Sequence, residues 1–257
     1  MPDTLGFIGF GIMGRPMALN LIKGGYKLNV YARRQASTDP FKHFAAVICD
    51  SPQQLAERSD IIFTVLTDTK AVEQIVLGPQ GILSGAKTGS VVIDMSSIAP
   101  DATRQMAATL HQRQVDMLDA PVSGGEAGAK DGSLAIMVGG KPAVFRRMKP
   151  ILQMMGHCTY VGPHGCGQIA KACNQALITQ FTTAVAEVLL LAKAAGADPG
   201  KVRAAMLDGF AHSKALDAHG QRMLNGDFKA GFKAKLHAKD LSIVRRLAEQ
   251  SGIRLSV

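Results

Sequence analysis

A glycine-rich loop near the start of the chain has the spacing of a pyrophosphate-binding turn. It reads G-x-G-x-x-G, follows the apolar run 5–8 and precedes a helical pattern that continues to Leu21. Gly9 permits a tight turn, Gly11 lets the backbone approach phosphate, and Gly14 lets helix and strand pack closely. The motif alone is weak, but its place at the start of an alternating β/α region predicts dinucleotide binding. The predicted binding residues are Gly9, Phe10, Gly11, Ile12, Met13 and Gly14.

The end of the second predicted strand favours NADP over NAD. NAD enzymes usually carry an acidic residue about 20 residues after the glycine motif, where it binds the ribose hydroxyls. Here the strand ends in Ala32, Arg33 and Arg34, without an acid. Two guanidinium groups can bind a 2′-phosphate, so NADP is predicted and NAD stays possible. The alternative is that both arginines are solvated loop residues.

A hydroxyl and two glycines follow another predicted strand, 116–120. Ser123, Gly124 and Gly125 would present a side-chain hydroxyl and backbone N–H groups at a strand's carboxyl end. Open α/β sheets bind ligands at that end. An ordinary turn would have the same composition, so these residues are a candidate ligand site only.

A lysine and two amides stand at helical spacing in the second half of the chain. Asn174 and Gln175 lie three and four residues after Lys171, so the three side chains can share one helix face. Gly167, at i−4 from the lysine, leaves that face uncrowded. A single helical lysine is usually a solvated surface charge, so spacing alone does not assign it a role.

The elements that carry these residues fall into two regions. Up to about residue 162, apolar runs alternate with helical segments, which is typical of a parallel sheet covered by helices. Beyond it, 168–195 reads as one long helix, and helical patterns continue to the C-terminus. We therefore expect an α/β, Rossmann-type doubly wound domain (1–163), then an all-α domain (164–257), joined by the long helix. The candidate strands are 5–8, 28–31, 46–48, 61–66, 91–95, 116–120, 134–138 and 159–161.

Composition and charge limit the classes of function. The 257 residues are 47% hydrophobic and can fill a sizeable core. A net charge of +9 favours anionic ligands, but the basic residues are dispersed and there is no tryptophan, which disfavours nucleic acid. The apolar stretch 182–197 contains Glu187 and Lys193, and the N-terminus lacks a signal-like segment. A soluble protein without a membrane span is predicted.

The cysteines indicate a reducing compartment. The four cysteines form no C-x-x-C pair, which predicts free thiols and a cytoplasmic location. His157, Cys158, His164 and Cys166 lie close together in the sequence, but they lack the paired spacing of a structural zinc site. No metal is predicted.

Four segments together resemble the β-hydroxyacid dehydrogenase family, of the 3-hydroxyisobutyrate dehydrogenase type. They are 6–14, 119–125, 165–174 and 235–241, and the resemblance extends over nearly the whole chain. It implies that Lys171 is the general acid/base and that Ser123, Gly124 and Gly125 hold a substrate carboxylate. It also implies substrate contacts at Asn174 and Gln175, and cofactor contacts at Leu66, Thr67, Ser97 and Lys239. Lys239 could equally be a surface residue of a basic stretch.

The resemblance implies oxidoreduction between a small β-hydroxy acid and its semialdehyde. Within the family the resemblance implies reduction of tartronate semialdehyde to glycerate as the leading expectation, and the position of the asparagine, three residues after the lysine rather than four, fits that pattern. The alternatives are 3-hydroxyisobutyrate, 4-hydroxybutyrate with succinic semialdehyde, and glyoxylate. An imine reductase is disfavoured because that group typically replaces the lysine.

An alternative of another class is a non-catalytic nucleotide-binding module with a basic interaction surface. The register of Lys171 with Asn174 argues against it. A homo-dimer or homo-tetramer is also expected. Family members usually continue beyond the position of Val257, so part of the pocket or dimer surface is expected to be absent.

Overall fold

The computed structural model describes residues 4–229, 231 and 233–255, and the chain divides into two compact units. The first unit is Met1–Lys171 and the second is Ala172–Val257. Each unit has hydrophobic clusters of its own.

The first unit is built on one sheet. Six parallel strands lie in the order β3-β2-β1-β4-β5-β6; β8 then pairs antiparallel with β6 and β7, and β9 pairs parallel with β8. This parallel order is that of the Rossmann fold, in which the order of the strands along the sheet reverses between β1 and β4. The strands are β1 (Leu5–Ile8), β2 (Leu28–Tyr31), β3 (Val47–Ile48), β4 (Ile61–Thr64), β5 (Val91–Asp94), β6 (Asp116–Asp119), β7 (Val122–Ser123), β8 (Leu134–Gly140) and β9 (Gly156–Gly162).

The central strands are short apolar runs because helices cover both faces of the sheet. Every residue of β1, β4 and β5 is buried. Phe7 stacks on Phe63 with ring centroids 5.9 Å apart in one cluster, and Ile8 and Ile62 belong to the cluster on the other face. Each such side chain stabilises the folded state by about 1.5–3 kcal/mol when fully buried, and this burial holds the ends of the strands in place.

Helices connect the strands, and the described residues of the second unit contain helices and connecting loops but no strand. Helix α8 begins in the first unit and continues into the second, where Val185 and Leu189 pack with Leu216. The helices are α1 (Gly14–Lys23), α2 (Pro52–Glu57), α3 (Thr69–Leu77), α4 (Ile82–Gly85), α5 (Pro100–Gln112), α6 (Gly125–Asp131), α7 (Pro142–Leu152), α8 (Cys166–Ala194), α9 (Pro199–Leu207), α10 (Lys214–Leu224) and α11 (Ala234–Gln250). Short 3₁₀ helices cover Gln35–Ser37 and Asp39–Phe44.

The predicted fold class is confirmed, and the differences are local. The bounds of β1 and β2 agree with the sequence pattern, and the long helix predicted over 168–195 is observed over Cys166–Ala194. The short strand β7 was not predicted, because two residues are too few to show an alternating pattern. The predicted domain boundary at 163/164 stays a prediction.

Helix α8 is long and apolar enough, by length and composition alone, to cross a membrane. Its most apolar window has a mean hydropathy of 1.4, and the other described helices do not meet the same criteria. The core helix of a soluble protein passes the same test, so this property is no evidence for a membrane.

Candidate active site

The glycine loop after β1 leaves open space beside its middle glycine. Gly9 has φ +103°, and a Cβ added there would collide with the Val65 carbonyl oxygen. A Cβ on Gly14 would collide with the Gly9 carbonyl oxygen, whereas one on Gly11 would meet no atom within 4 Å. Helix α1 begins at Gly14, and its first turn has no side-chain cap and no acidic residue. The loop therefore fits an anionic group at the helix N-terminus.

The end of β2 presents two exposed arginines. Arg33 and Arg34 directly follow half-buried Ala32, and neither takes part in an ion pair with another described residue. Two exposed guanidinium groups beside a small residue can bind a phosphate group.

A buried carboxylate organises the loops after β4 and β5. Thr64 Oγ1 and Ser96 Oγ donate to Asp94 Oδ1 over 2.7 and 2.6 Å, and Ser96 N donates to the same oxygen over 3.2 Å. Ser96 Oγ in turn accepts the Leu66 N–H over 2.8 Å. Burial, with a smaller contribution from the nearby Asp119 charge, raises the pKa of Asp94 to about 6, against the lowering effect of these hydrogen bonds.

A second buried carboxylate caps helix α8. The Gly165 N–H donates to Asp119 Oδ1 over 2.9 Å and the Gln168 N–H donates to Oδ2 over 3.0 Å. Asp119 ends β6, so it fixes the first turn of α8 to the sheet. Burial raises the pKa of its carboxyl, while the two N–H groups lower it. Lys171 lies one helical turn beyond Gln168.

Gly167 lets α8 approach the sheet closely. A Cβ at this position would lie 2.5 Å from Met137 O, 2.6 Å from Asp119 O and 2.8 Å from Asp119 Oδ2. The sequence predicted only that Gly167 leaves the Lys171 face uncrowded, but the structure shows that β6 and β8 themselves require a glycine here. We call the attachment of α8 to the sheet through Asp119 the anchor of α8, and it depends on Gly167, the second residue of the helix.

The Ser123 segment continues from the same strand β6. Ser123 is half-buried on β7 and pairs with Ala135 of β8, while Gly124 and Gly125 are exposed with φ of +139° and +62°. Only glycine adopts such angles readily, and α6 begins at Gly125. The segment therefore joins a strand to a helix N-terminus and is more than an irregular turn.

In the second unit, the amides after Lys171 join a network with α11. Gln175 is buried; its Nε2 donates to Asp240 Oδ2 over 2.6 Å, and its Oε1 accepts from Asn174 Nδ2 over 3.0 Å. Lys239 Nζ lies 2.8 Å from Asp240 Oδ1. Gln175 thus orients Asn174, and Lys239 neutralises Asp240.

Two protein families match consecutive parts of the chain. Residues 4–162 match the NAD binding domain of 6-phosphogluconate dehydrogenase, and residues 165–257 match the family described as NAD-binding of NADP-dependent 3-hydroxyisobutyrate dehydrogenase. The 2-hydroxy-3-oxopropionate reductase of Escherichia coli is 44% identical over 98% of this chain and 86% of its own length. The chain belongs to the β-hydroxyacid dehydrogenase family.

Other members of the β-hydroxyacid dehydrogenase family extend this likeness. The 2-(hydroxymethyl)glutarate dehydrogenase of Eubacterium barkeri is 37% identical over 98% of this chain and 84% of its own length. A Mycobacterium tuberculosis 3-hydroxyisobutyrate dehydrogenase, solved with L-serine, superimposes with a TM-score of 0.91. It is 27% identical, over 100% of this chain and 90% of that chain. The resemblance and the predicted enzyme class are confirmed: this β-hydroxyacid dehydrogenase is an NAD(P)-dependent oxidoreductase.

Sequence reasoning missed three buried residues of this β-hydroxyacid dehydrogenase. Asp94 and Asp119 each end an apolar strand, which is a signal that the sequence does contain. Gln168 gives no such signal, because its partners lie about 70 residues away in the chain. The roles predicted for the site residues remain proposals.

Proposed function

We propose that this enzyme is an NADPH-dependent reductase of a short semialdehyde that carries a carboxylate, with tartronate semialdehyde as the leading substrate. The observation that carries the proposal is the arrangement at the carboxyl end of β6. Asp119 ends that strand and caps the helix that bears Lys171, and Ser123 follows four residues later. The proton donor Lys171 and the segment Ser123–Gly125, here called the carboxylate cradle, are thus both connected to one strand end, where open α/β sheets bind ligands.

The nucleotide is assigned to the edge formed by β1 and β2. The open space at Gly11 and the uncapped start of α1 fit a pyrophosphate, and Arg33 and Arg34 fit a 2′-phosphate. NADPH, when bound, supplies the hydride that reduces the aldehyde carbon. The loops that carry Leu66–Thr67 and Ser97 are proposed to contact it, since the Asp94 network holds both loops. Phe10, Ile12 and Met13 complete the glycine loop.

The substrate is assigned to the Ser123 segment and Lys171. The Ser123 hydroxyl and the N–H groups of Gly124 and Gly125 hold the carboxylate, which fixes the position of the aldehyde. Lys171 Nζ donates a proton to the aldehyde oxygen as it becomes a hydroxyl, and accepts the proton in the reverse direction. Asn174 orients the same oxygen. Because both polar groups of Gln175 are engaged, its contribution is to position Asn174.

Lys239 is also assigned to the cofactor. Its ammonium pairs with Asp240, which Gln175 also contacts. An ion-paired lysine can still contribute a donor to an anionic ligand, because its ammonium has three N–H groups. Lys239 is therefore assigned as a secondary nucleotide contact.

A substrate panel tests the function. Tartronate, succinic and methylmalonate semialdehydes, glyoxylate, propanal and a cyclic imine are each reduced with NADPH and with NADH, and oxidation of the nicotinamide is followed by absorbance. We expect the highest kcat/KM with NADPH and tartronate semialdehyde, and little activity on propanal, which leaves the carboxylate donors unpaired. Equal activity on propanal would contradict the carboxylate anchor. Faster reduction of another semialdehyde or the imine would replace the leading substrate.

Two substitutions of Ser123 distinguish the contribution of its hydroxyl group from that of the space around the side chain. Ser123→Ala removes only the hydroxyl, whereas Ser123→Leu also fills the cradle. We expect a moderate rise in KM for the first and a near-complete loss of reduction for the second, with NADPH binding retained in both. Unchanged kinetics in Ser123→Leu would exclude this cradle.

The predicted compartment and assembly are also proposals. The cysteines Cys49, Cys158, Cys166 and Cys173 are free thiols, which supports a reducing cytoplasmic environment. Homo-dimers or homo-tetramers are expected, and sedimentation of the purified chain would distinguish these from a monomer.

A further inference from the structure

The side chain of Gln168 bridges α8 to the loop between β5 and α5. Its Nε2 donates to the Ser96 carbonyl oxygen over 2.8 Å, and its Oε1 accepts the Ile98 N–H over 3.0 Å. The side chain is 2% exposed. The two backbone groups that it binds flank Ser97, so one amide holds both sides of that residue.

The same residue is fixed through its backbone. The Gln168 N–H donates to Asp119 Oδ2, and Ser96, its partner in the loop, donates through both N–H and Oγ to Asp94 Oδ1. All four residues are buried. A continuous hydrogen-bonded chain therefore joins the ends of β5 and β6 to the first turn of α8.

We propose that Gln168 is a positioning residue that holds Lys171 in register with Ser97. Lys171 is three residues further along the same helix, so any shift or rotation of the first turn displaces its Nζ. Ser97 belongs to the loop assigned to the cofactor. The inference rests on the proposed function for the roles of Lys171 and Ser97, but the bridge itself is independent of them.

An amide is well suited to this role. It donates and accepts at once, as the two flanking backbone groups require, and it carries no charge that would add to the neighbouring buried carboxylates. Replacement by an apolar side chain would leave the Ser96 carbonyl and the Ile98 N–H without their partner. The loop and the helix turn would then separate to let these groups find water.

Gln168→Met preserves the length of the side chain and removes both hydrogen bonds. Because a displacement of about 1 Å between reacting groups can cost about 10²-fold in rate, we expect kcat to fall about 10- to 100-fold. KM and the Kd for NADPH should change by no more than about threefold, because the Ser123 segment and the glycine loop are intact and Ser97 is only one of the proposed cofactor contacts. A larger solvent deuterium isotope effect on kcat should accompany the loss, because the proton donor is misplaced.

Two further variants control for folding and for the substitution type. Gln168→Asn keeps an amide but shortens its reach, and should also lower kcat. Gln180→Met makes the same chemical change at an exposed position of α8 and should leave kcat unchanged. A Gln168→Met protein with kcat within twofold of wild type would overturn the proposal. So would parallel losses of kcat and NADPH affinity without a change in the isotope effect.

Hydrogen–deuterium exchange separates this inference from the proposed function. In Gln168→Met, exchange should accelerate in peptides covering 96–98 and 165–172, and stay unchanged in β1 and α1. That result would support the bridge even if the wild-type enzyme reduced none of the semialdehydes. Unchanged exchange in both peptides would overturn it, whatever the substrate.

Discussion

Substitution of the buried carboxyl group at the end of β5 should change how stability depends on pH. Asp94 is wholly buried, its Oδ1 accepts three hydrogen bonds, and its Oδ2 has no partner among the described residues. Asp94→Asn keeps an oxygen for these donors and removes the titrating group. Since the folded-state pKa is about 6 and the ordinary value is 3.8, the folded protein binds this proton more tightly than the unfolded chain.

The difference between the folded and ordinary pKa of Asp94 sets the sign and size of the change in stability with pH. An acid whose pKa is raised by folding destabilises the folded state when ionised, so the wild type gains free energy of unfolding as pH falls through about 6 toward about 4. A rise from 3.8 to about 6 corresponds to ~3 kcal/mol. The Asn variant lacks this gain, and the changes due to other carboxylates cancel when the two proteins are compared at each pH.

Urea unfolding followed by circular dichroism measures the difference. Wild type and Asp94→Asn are unfolded at several values from about pH 8 to about pH 4, and the stability of the wild type relative to the variant is plotted against pH. We expect it to rise by ~2 kcal/mol by about pH 4, which is most of the ~3 kcal/mol reached below both pKa values. The exposed Asp131 provides the matched control, since Asp131→Asn should show no such trend. A flat curve, or one of opposite slope, would refute the reasoning about burial.

The remaining predictions concern cofactor choice and the anchor of α8. Arg33→Ala should raise the Kd for NADPH about 10- to 100-fold and leave that for NADH nearly unchanged, because a charge-assisted phosphate contact is worth about 1.5–3 kcal/mol. Fluorescence titration measures both constants, with Arg146→Ala as the control, and wild-type protein that binds NADH tenfold more tightly would contradict it. Gly167→Ala should destabilise the chain by about 1–3 kcal/mol, lowering Tm by about 2–4 °C per kcal/mol, because its methyl group meets backbone and carboxylate oxygens. Calorimetry should show no such loss for Gly209→Ala, whose added Cβ would meet nothing closer than 3.7 Å, and equal Tm values for the two variants would refute the overpacking.

Local patterns predicted the fold and the nucleotide loop because their physical causes are local. Gly14 packs against Gly9, five residues earlier, and although Gly9 faces the distant Val65 carbonyl oxygen, its turn is signalled by the glycine spacing itself. The apolar runs of the central strands follow from burial on both faces. The glycine spacing and the apolar runs can therefore be recognised in a single sequence without knowledge of its long-range contacts.

The anchor of α8 was not predictable in the same way. Gln168 and Asp119 act on groups 46–72 residues away, and only the fold brings these together. Helical spacing placed Gln175 beside Asn174, but it could not show that Asp240 engages the Gln175 amide. Long-range polar contacts leave no periodic pattern in the chain, so the part of the site that depends on them emerged only from the structure.

The central claim is that Lys171 transfers the proton in an NADPH-dependent reduction, and its most direct test is the turnover of Lys171→Ala. With tartronate semialdehyde, or the best substrate of the panel, we predict that kcat falls about 10²–10⁴-fold while the Kd for NADPH stays near the wild-type value. Lys193→Ala, at an exposed position of the same helix, should retain full turnover. A Lys171→Ala enzyme that retained most of its turnover would contradict the account.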